Sequence, residues 1–215
     1  LVEAVDAANP THITNLFRFL DNRRIPVRGV VHAAGVLADA PILRQDAPRF
    51  LEVFPAKVEG AWNLHVATRE RDLDAFLLFS SVTSTLGAPG QVNYAAANAF
   101  LDALAAHRHH HGLPAVSLNW GPWGEIGMAA KLAALMASRG MAGLKTAEAL
   151  DAMGEVASDL APQVTFMDMR VRDILAREPG FADAPLMREI IGLLGPSRRR
   201  PRPQAPPRLA GLRLR

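Results

Sequence analysis

The chain of 215 residues carries 24 lysines and arginines against 21 acids, with 49% apolar residues and no cysteine. Seven arginines and no acid fall within 196–215, which leaves 17 bases against 21 acids before them. This is an acidic globular body with a short basic tail, not a basic protein. The same figures exclude disulfides, cysteine-ligated metal and a disordered body, and no apolar stretch reaches the ~20 residues needed to span a bilayer.

One substantial core with a small appendage is expected. The start, LVEAVDAANP, has neither an initiator Met nor a signal pattern, as in a piece of something longer. VEAVD (2–6) ends a short apolar run, and Asn9-Pro10-Thr11 reads as a helix start. VRGVVHAAG (27–35) reads as a buried strand closed by Gly35. Residues 46–71 have helical spacing through Phe50, Val53, Phe54, Val58, Trp62 and Leu64, with Pro55 expected to kink or divide the helix. DAFLLFSS (74–81) is a second strand, followed by the small-residue loop VTSTLGAPGQ. Residues 92–110 read as a helix ended by Gly112 and Pro114, PAVSLNWG (114–121) as a third strand and QVTFMDMR (163–170) as a fourth. Between them the chain turns helical and Met-rich, and after Leu194 a Pro- and Arg-rich tail is expected to be disordered. Strands alternating with helices imply an α/β fold, a doubly wound parallel sheet. Ligands on such sheets bind at the carboxyl ends of the strands, here Gly35, Ser80-Ser81 and Trp120-Gly121.

Tyr94 is the only tyrosine, and it stands four residues before Asn98 on a helix, so both share one face. Ser81 ends a strand at the same crevice. A tyrosine that trades protons near neutrality needs a nearby cation, which Lys57 on the preceding helix could supply. A carbonyl oxygen held by Tyr94 and Ser81 could then accept hydride at carbon, with Asn98 holding a water. By spacing alone, a packed tyrosine, a capping serine and a solvated lysine are the commoner uses of such residues.

LLFSSVTSTLGAPGQVNYAAANAFLDALA, with VVHAAGVLADAPIL before it and VSLNWGPWGEIGMA after it, resembles the ketoreductase domain of modular polyketide synthases. That domain is a short-chain dehydrogenase/reductase with a Rossmann-like fold. In this branch asparagine replaces the lysine four residues after the tyrosine, and the lysine sits on the preceding helix. The separations of 24 residues from Lys57 to Ser81, 13 to Tyr94 and 4 to Asn98 agree with that pattern. The resemblance implies NADPH-dependent reduction of a β-ketoacyl thioester carried on the phosphopantetheine arm of an acyl carrier protein. Other synthase domains in the same polypeptide would be partners, in the cytoplasm, with no nucleic acid or membrane. Tyr94 would protonate the keto oxygen, Ser81 would orient the carbonyl, and Lys57 would lower the tyrosine pKa and share a proton relay with Asn98. Asp6 would touch the adenine, Ala33, Ala34 and Gly35 would line the cofactor, and Gly121, Pro122 and Trp123 would contact its nicotinamide end. The HAAG segment can equally serve close strand–helix packing. Asp39 keeps the second aspartate of a Leu-Asp-Asp marker, and Leu86 stands where the opposite stereochemical class has tryptophan. With Gln91 these positions control stereochemistry, and the markers point to a D-hydroxy product.

Family members carry a strand–GxGxxG–helix unit and a second strand and helix ahead of the matching region, and no such motif occurs here. The expected domain is therefore 1–194 with its first βαβα unit lacking, followed by a linker over 195–215. An exposed sheet edge, poor folding and no NADPH turnover are expected of the 215 residues alone. A non-catalytic structural remnant is the alternative. Residues 128–160, with Met128, Met136, Met141 and Met153, match a helical lid or a core segment. Trp120 and Trp123 fit core packing, a substrate wall, or both. The arginine tail suits a linker to a carrier domain better than nucleic-acid binding. His107, His109, His110 and His111 fit a helix C-terminus rather than a metal site.

Overall fold

The computed structural model describes residues 1–126, 140–156, 161–177, 179–183 and 185–193. They form two compact units, one of Leu1–Trp120 with Asp159–Phe166 and one drawn from Gly121–Ser158 with Met167–Arg215. Within the first unit, Asn9 caps helix α1 (Pro10–Asn22) by accepting from the Thr11 and His12 amides, while Pro10 takes the first helical position. Strand β1 (Gly29–His32) follows, then helix α2 (Ala47–Phe54), a π-helical turn (Pro55–Glu59) and helix α3 (Gly60–Thr68). Strand β2 (Ala75–Ser81), the short helix α4 (Thr83–Leu86), helix α5 (Val92–His110) and strand β3 (Val116–Trp120) complete the continuous run.

These strands pair in parallel, in the order β1-β2-β3-β5, where β5 is Gln163–Phe166. Parallel strands read as continuous apolar runs because both faces are to be covered, and every residue of β3 is buried. The core under α3 and α5 joins Val30, Phe76, Leu78, Leu101, Leu104 and Ala105. At the far edge β1 has one described neighbour, and Val31 is 57% exposed. The expected α/β parallel sheet is thus present with helices between its strands.

One expectation needs correction, that for 163–170, and the apolar run 2–6 joins no ladder. Instead Asn63 on α3 donates to the carbonyls of Ala7 and Ala8, both at 3.0 Å. The run 163–170 is two strands, not one. β3 ends at Trp120, whose ring stacks on Phe166 at 4.7 Å, and Gly121-Pro122 leaves β5 no partner beyond that pair. In the second unit, strand β6 (Asp168–Met169) pairs antiparallel with strand β4 (Met141–Ala142). Pro55 divides the helix as expected, without stopping it. Its lost amide widens the turn into a π-helical one, while Phe54, Pro55 and Gly60 all keep right-handed helical angles.

The second unit also holds helix α6 (Thr146–Val156), helix α7 (Val171–Arg177) and helix α8 (Pro185–Leu193). Gly124 and Gly143 lie backbone to backbone there, since a Cβ on Gly143 would collide with the Gly124 Cα. Of the expected lid, α6 with Met153 and the strand residue Met141 are described. Met128, Met136 and the tail 195–215 lie outside the described residues. Among the described residues no helix is long and apolar enough to cross a membrane.

His32 and His65 are buried in the first unit, and burial pushes each down to about 4, with Lys57 beside His32 and Arg108 beside His65 adding to it. Arg108 can only donate, so His65 accepts through Nδ1 at 3.2 Å, as a neutral ring. An unfolded histidine titrates near 6.5, so the unfolded chain binds protons that the folded one refuses as pH falls towards 4. Their contribution is complete above about pH 6.5 and lost below it. The urea midpoint should therefore fall between pH 7 and pH 5 by the equivalent of about 1–3 kcal/mol. A midpoint that stays level over that range would mean that the two rings are not held neutral.

Candidate active site

The π-helical turn carries Lys57 inward, where it is 3% exposed. Its ammonium donates to the Phe79 carbonyl of β2 at 2.8 Å and lies 5.3 Å from the centre of the Tyr94 ring. Burial draws the Lys57 amine down to about 8, against an opposing pull from the Asp102 carboxylate. Gly35 leaves room for this side chain, since a Cβ there would stand 3.0 Å from the Lys57 Cε.

Tyr94 sits in the first turn of α5, packed by Ala38, Val53 and Ala97. Asn98 follows one turn later, and its Nδ2 donates to the Tyr94 carbonyl at 2.8 Å. The Asn98 Oδ1 is buried with no partner among the described residues, an acceptor suited to a water or a polar ligand atom. Ser81, half-buried at the end of β2, accepts from the Thr83 amide through its Oγ at 3.2 Å, which leaves its hydroxyl proton to donate elsewhere. The strand thus turns Ser80 towards α5, where it donates to the Asn98 carbonyl, and Ser81 the other way.

Burial holds the Tyr94 phenol above its ordinary value, Asn98 pulls it down and Asp39 adds to the rise. The Lys57 ammonium, turned to the Phe79 carbonyl, stands beside the ring.

The remaining candidates fall into three groups. Asp39 and Gln91 meet directly, Gln91 Nε2 donating to Asp39 Oδ2 at 2.9 Å. Ala40 N to Gly90 O at 2.9 Å, and Asn93 Nδ2 to Ala38 O at 2.9 Å, fasten the same two loops together. Leu86, half-buried, ends α4. Ala33 and Ala34 are exposed after β1, where small side chains leave backbone open to a ligand. Asp6 is exposed and holds its own turn, accepting from the Ala8 amide at 3.0 Å. Gly121, Pro122 and Trp123 begin the second unit, where Trp123 bridges to Leu144.

The histidine run ends α5 as expected, with His111 as its C-cap. His107 and His111 share a face with ring centres 4.4 Å apart. Among the described residues no group of three histidines and acids could hold a metal ion.

A parallel sheet whose strand β2 ends in Ser81, with a buried lysine beside Tyr94, is the arrangement of a short-chain dehydrogenase/reductase type of protein. The KR domain family model matches residues 1–125, and the chain belongs to that family, the ketoreductases of modular polyketide synthases. Such domains are oxidoreductases. The chain is 49% identical over 155 residues to the phenolphthiocerol synthesis polyketide synthase type I Pks15/1 of Mycobacterium bovis, covering 70% of this chain and 7% of that protein. It is 56% identical over 131 residues to the spectinabilin polyketide synthase system protein NorB of Streptomyces orinoci, covering 58% of this chain and 6% of that protein. Among solved structures, the PlmKR1 ketoreductase from the first module of phoslactomycin biosynthesis in Streptomyces sp. HK803 is 39% identical with a TM-score of 0.76. That match covers 81% of this chain and 41% of that structure. The chain therefore spans less than a tenth of these curated relatives and about two fifths of the solved domain.

Proposed function

We propose that this chain supplies the carbonyl-activating half of an NADPH-dependent ketoreductase, which reduces a β-ketoacyl thioester on the phosphopantetheine arm of an acyl carrier protein. The observation that carries this reading is the convergence of a buried Lys57, the buried Tyr94 and the unpartnered Asn98 Oδ1 beside the carboxyl end of β2. The open backbone of Ala33–Gly35 beside Lys57 suits the ribose and nicotinamide of NADPH, which when bound supplies a hydride. Tyr94, kept protonated by burial, donates its phenolic proton to the keto oxygen as the carbon is reduced, so the C=O becomes CH–OH. Ser81 donates a hydrogen bond to the same oxygen and orients it. Lys57 steadies the phenolate left on Tyr94, and a water held at Asn98 Oδ1 returns the proton. Asp39, Leu86 and Gln91 select the face of the ketone.

The test uses the full-length polypeptide that carries this chain, NADPH and the acetoacetyl thioester of N-acetylcysteamine, with the alcohol resolved by chiral chromatography. The D-alcohol is expected. An L-alcohol would overturn the stereochemical part, and NADPH left unconsumed would overturn the reaction itself.

A further inference from the structure

Asp102 stands one turn beyond Asn98 and two beyond Tyr94 on α5, so the helix presents all three towards the sheet. Four donors from three other elements converge on its carboxylate. Ser84 Oγ of α4 lies at 2.6 Å, Ser117 Oγ of β3 at 2.5 Å, Asn119 Nδ2 of β3 at 3.0 Å and Gln163 Nε2 of β5 at 3.1 Å. No arginine or lysine makes an ion pair with it among the described residues. Asp102 is half-buried, and its carboxylate is held by donors from three separate elements rather than by one neighbour.

Two of those donors also reach Ser81. Ser84 Oγ lies 2.9 Å from the Ser81 carbonyl and Asn119 Nδ2 lies 3.3 Å from it. Asn119 also donates to Ser84 Oγ at 2.6 Å, which ties the two together. The serine hydroxyl, with one proton, and the asparagine amide therefore each stand between the Asp102 carboxylate and the main chain at Ser81. Beyond Ser81 the chain turns, and Val82 keeps its place by donating to the Trp120 carbonyl at 2.9 Å.

We propose that Asp102 is a positioning residue for the reduction: through Ser84 and Asn119 its carboxylate holds the Ser81 carbonyl and so aims the Ser81 hydroxyl at the substrate. This rests on the ketoreductase reading of Ser81. Four acceptor contacts leave the carboxylate no freedom to rotate, and the turn it holds is as rigid as the helix that bears it. The same charge is the one that favours the cationic form of Lys57 against burial.

A double-mutant cycle between Asp102→Asn and Ser81→Ala tests the proposal in the full-length polypeptide, read by single-turnover reduction of the acetoacetyl thioester. Asp102→Asn should lower the rate between about tenfold and a hundredfold and leave the Kd for NADPH unchanged. In the Ser81→Ala background it should lower the rate less than about twofold, because the group it acts through is gone. Asp102→Glu should recover most of the loss. Equal losses in both backgrounds would show general damage to the fold and overturn the proposal, as would a parental rate for Asp102→Asn. If Asp102→Asn does not fold, Ser84→Ala goes through the same cycle: a loss confined to the Ser81 background supports the proposal, and an additive loss or none overturns it. A parental rate for Ser81→Ala would overturn the ketoreductase reading of the site, and the inference with it.

Discussion

Tyr94→Phe is expected to slow carbonyl reduction by about a thousandfold, within the range that a positioned acid contributes, while the Kd for NADPH stays within about twofold of the parent. The substitution removes one oxygen from a ring already 9% exposed and packed by Val53 and Ala97, so the core keeps its shape. Burial that raises the phenol is an asset in this direction of reaction. An acid needs its proton at the start of the step, and a Tyr94 above its ordinary value carries it throughout the neutral range. Stopped-flow reduction alongside fluorescence titration of NADPH separates the two effects. Loss of cofactor binding in a folded Tyr94→Phe protein would contradict the role given to the hydroxyl.

Lys57→Met should show an opposite sign in two measurements. Reduction should fall by about a hundredfold, because no cation then steadies the phenolate. Stability at pH 7 should rise. The Lys57 amine titrates at about 8 in the folded chain against an ordinary value of 10.5, so the fold disfavours the charge by about 3 kcal/mol at the usual conversion of pKa to free energy. The penalty is complete below about pH 8. It fades as pH rises towards 10.5, where the amine is neutral in both states, so the parent gains stability over that window. The Met variant, of similar length and without charge, should be flat there and hold its advantage at pH 7. Urea midpoints at pH 7, 8.5 and 10 provide the check. A Lys57→Met protein less stable than the parent at pH 7 would mean that the bond to the Phe79 carbonyl outweighs the buried charge.

Local signals made much of this legible beforehand. Helix α5 runs over Val92–His110, the stretch that the sequence marks with Gly112 and Pro114 beyond its end. Asn9 and Pro10 start α1 because capping is chemistry of neighbouring residues. Non-local matters were harder to read. Whether 163–170 is one strand or two depends on where β3 stops, which is a matter of pairing across the sheet. Pro55 announced a disturbance but not its kind, since a break and a π-helical turn both answer a lost amide. The protonation preference of Tyr94 follows from burial, which spacing along a chain does not encode. Asp102 was overlooked although its four-residue step from Asn98 was visible. An acid on the inner face of a helix is the signal that would have found it.

On the proposed role of Asp39 and Gln91 in choosing the ketone face, the fastening of their two loops bears on how such a domain changes its selectivity. Residues about fifty positions apart are bound by the Gln91–Asp39 side-chain bond, by Ala40 to Gly90 and by Asn93 to Ala38. Replacing Asp39, Gln91 or Asn93 strips a donor or an acceptor from the opposite loop. The two segments therefore form one heritable cassette, and a graft that moves only one of them carries across half of a lock.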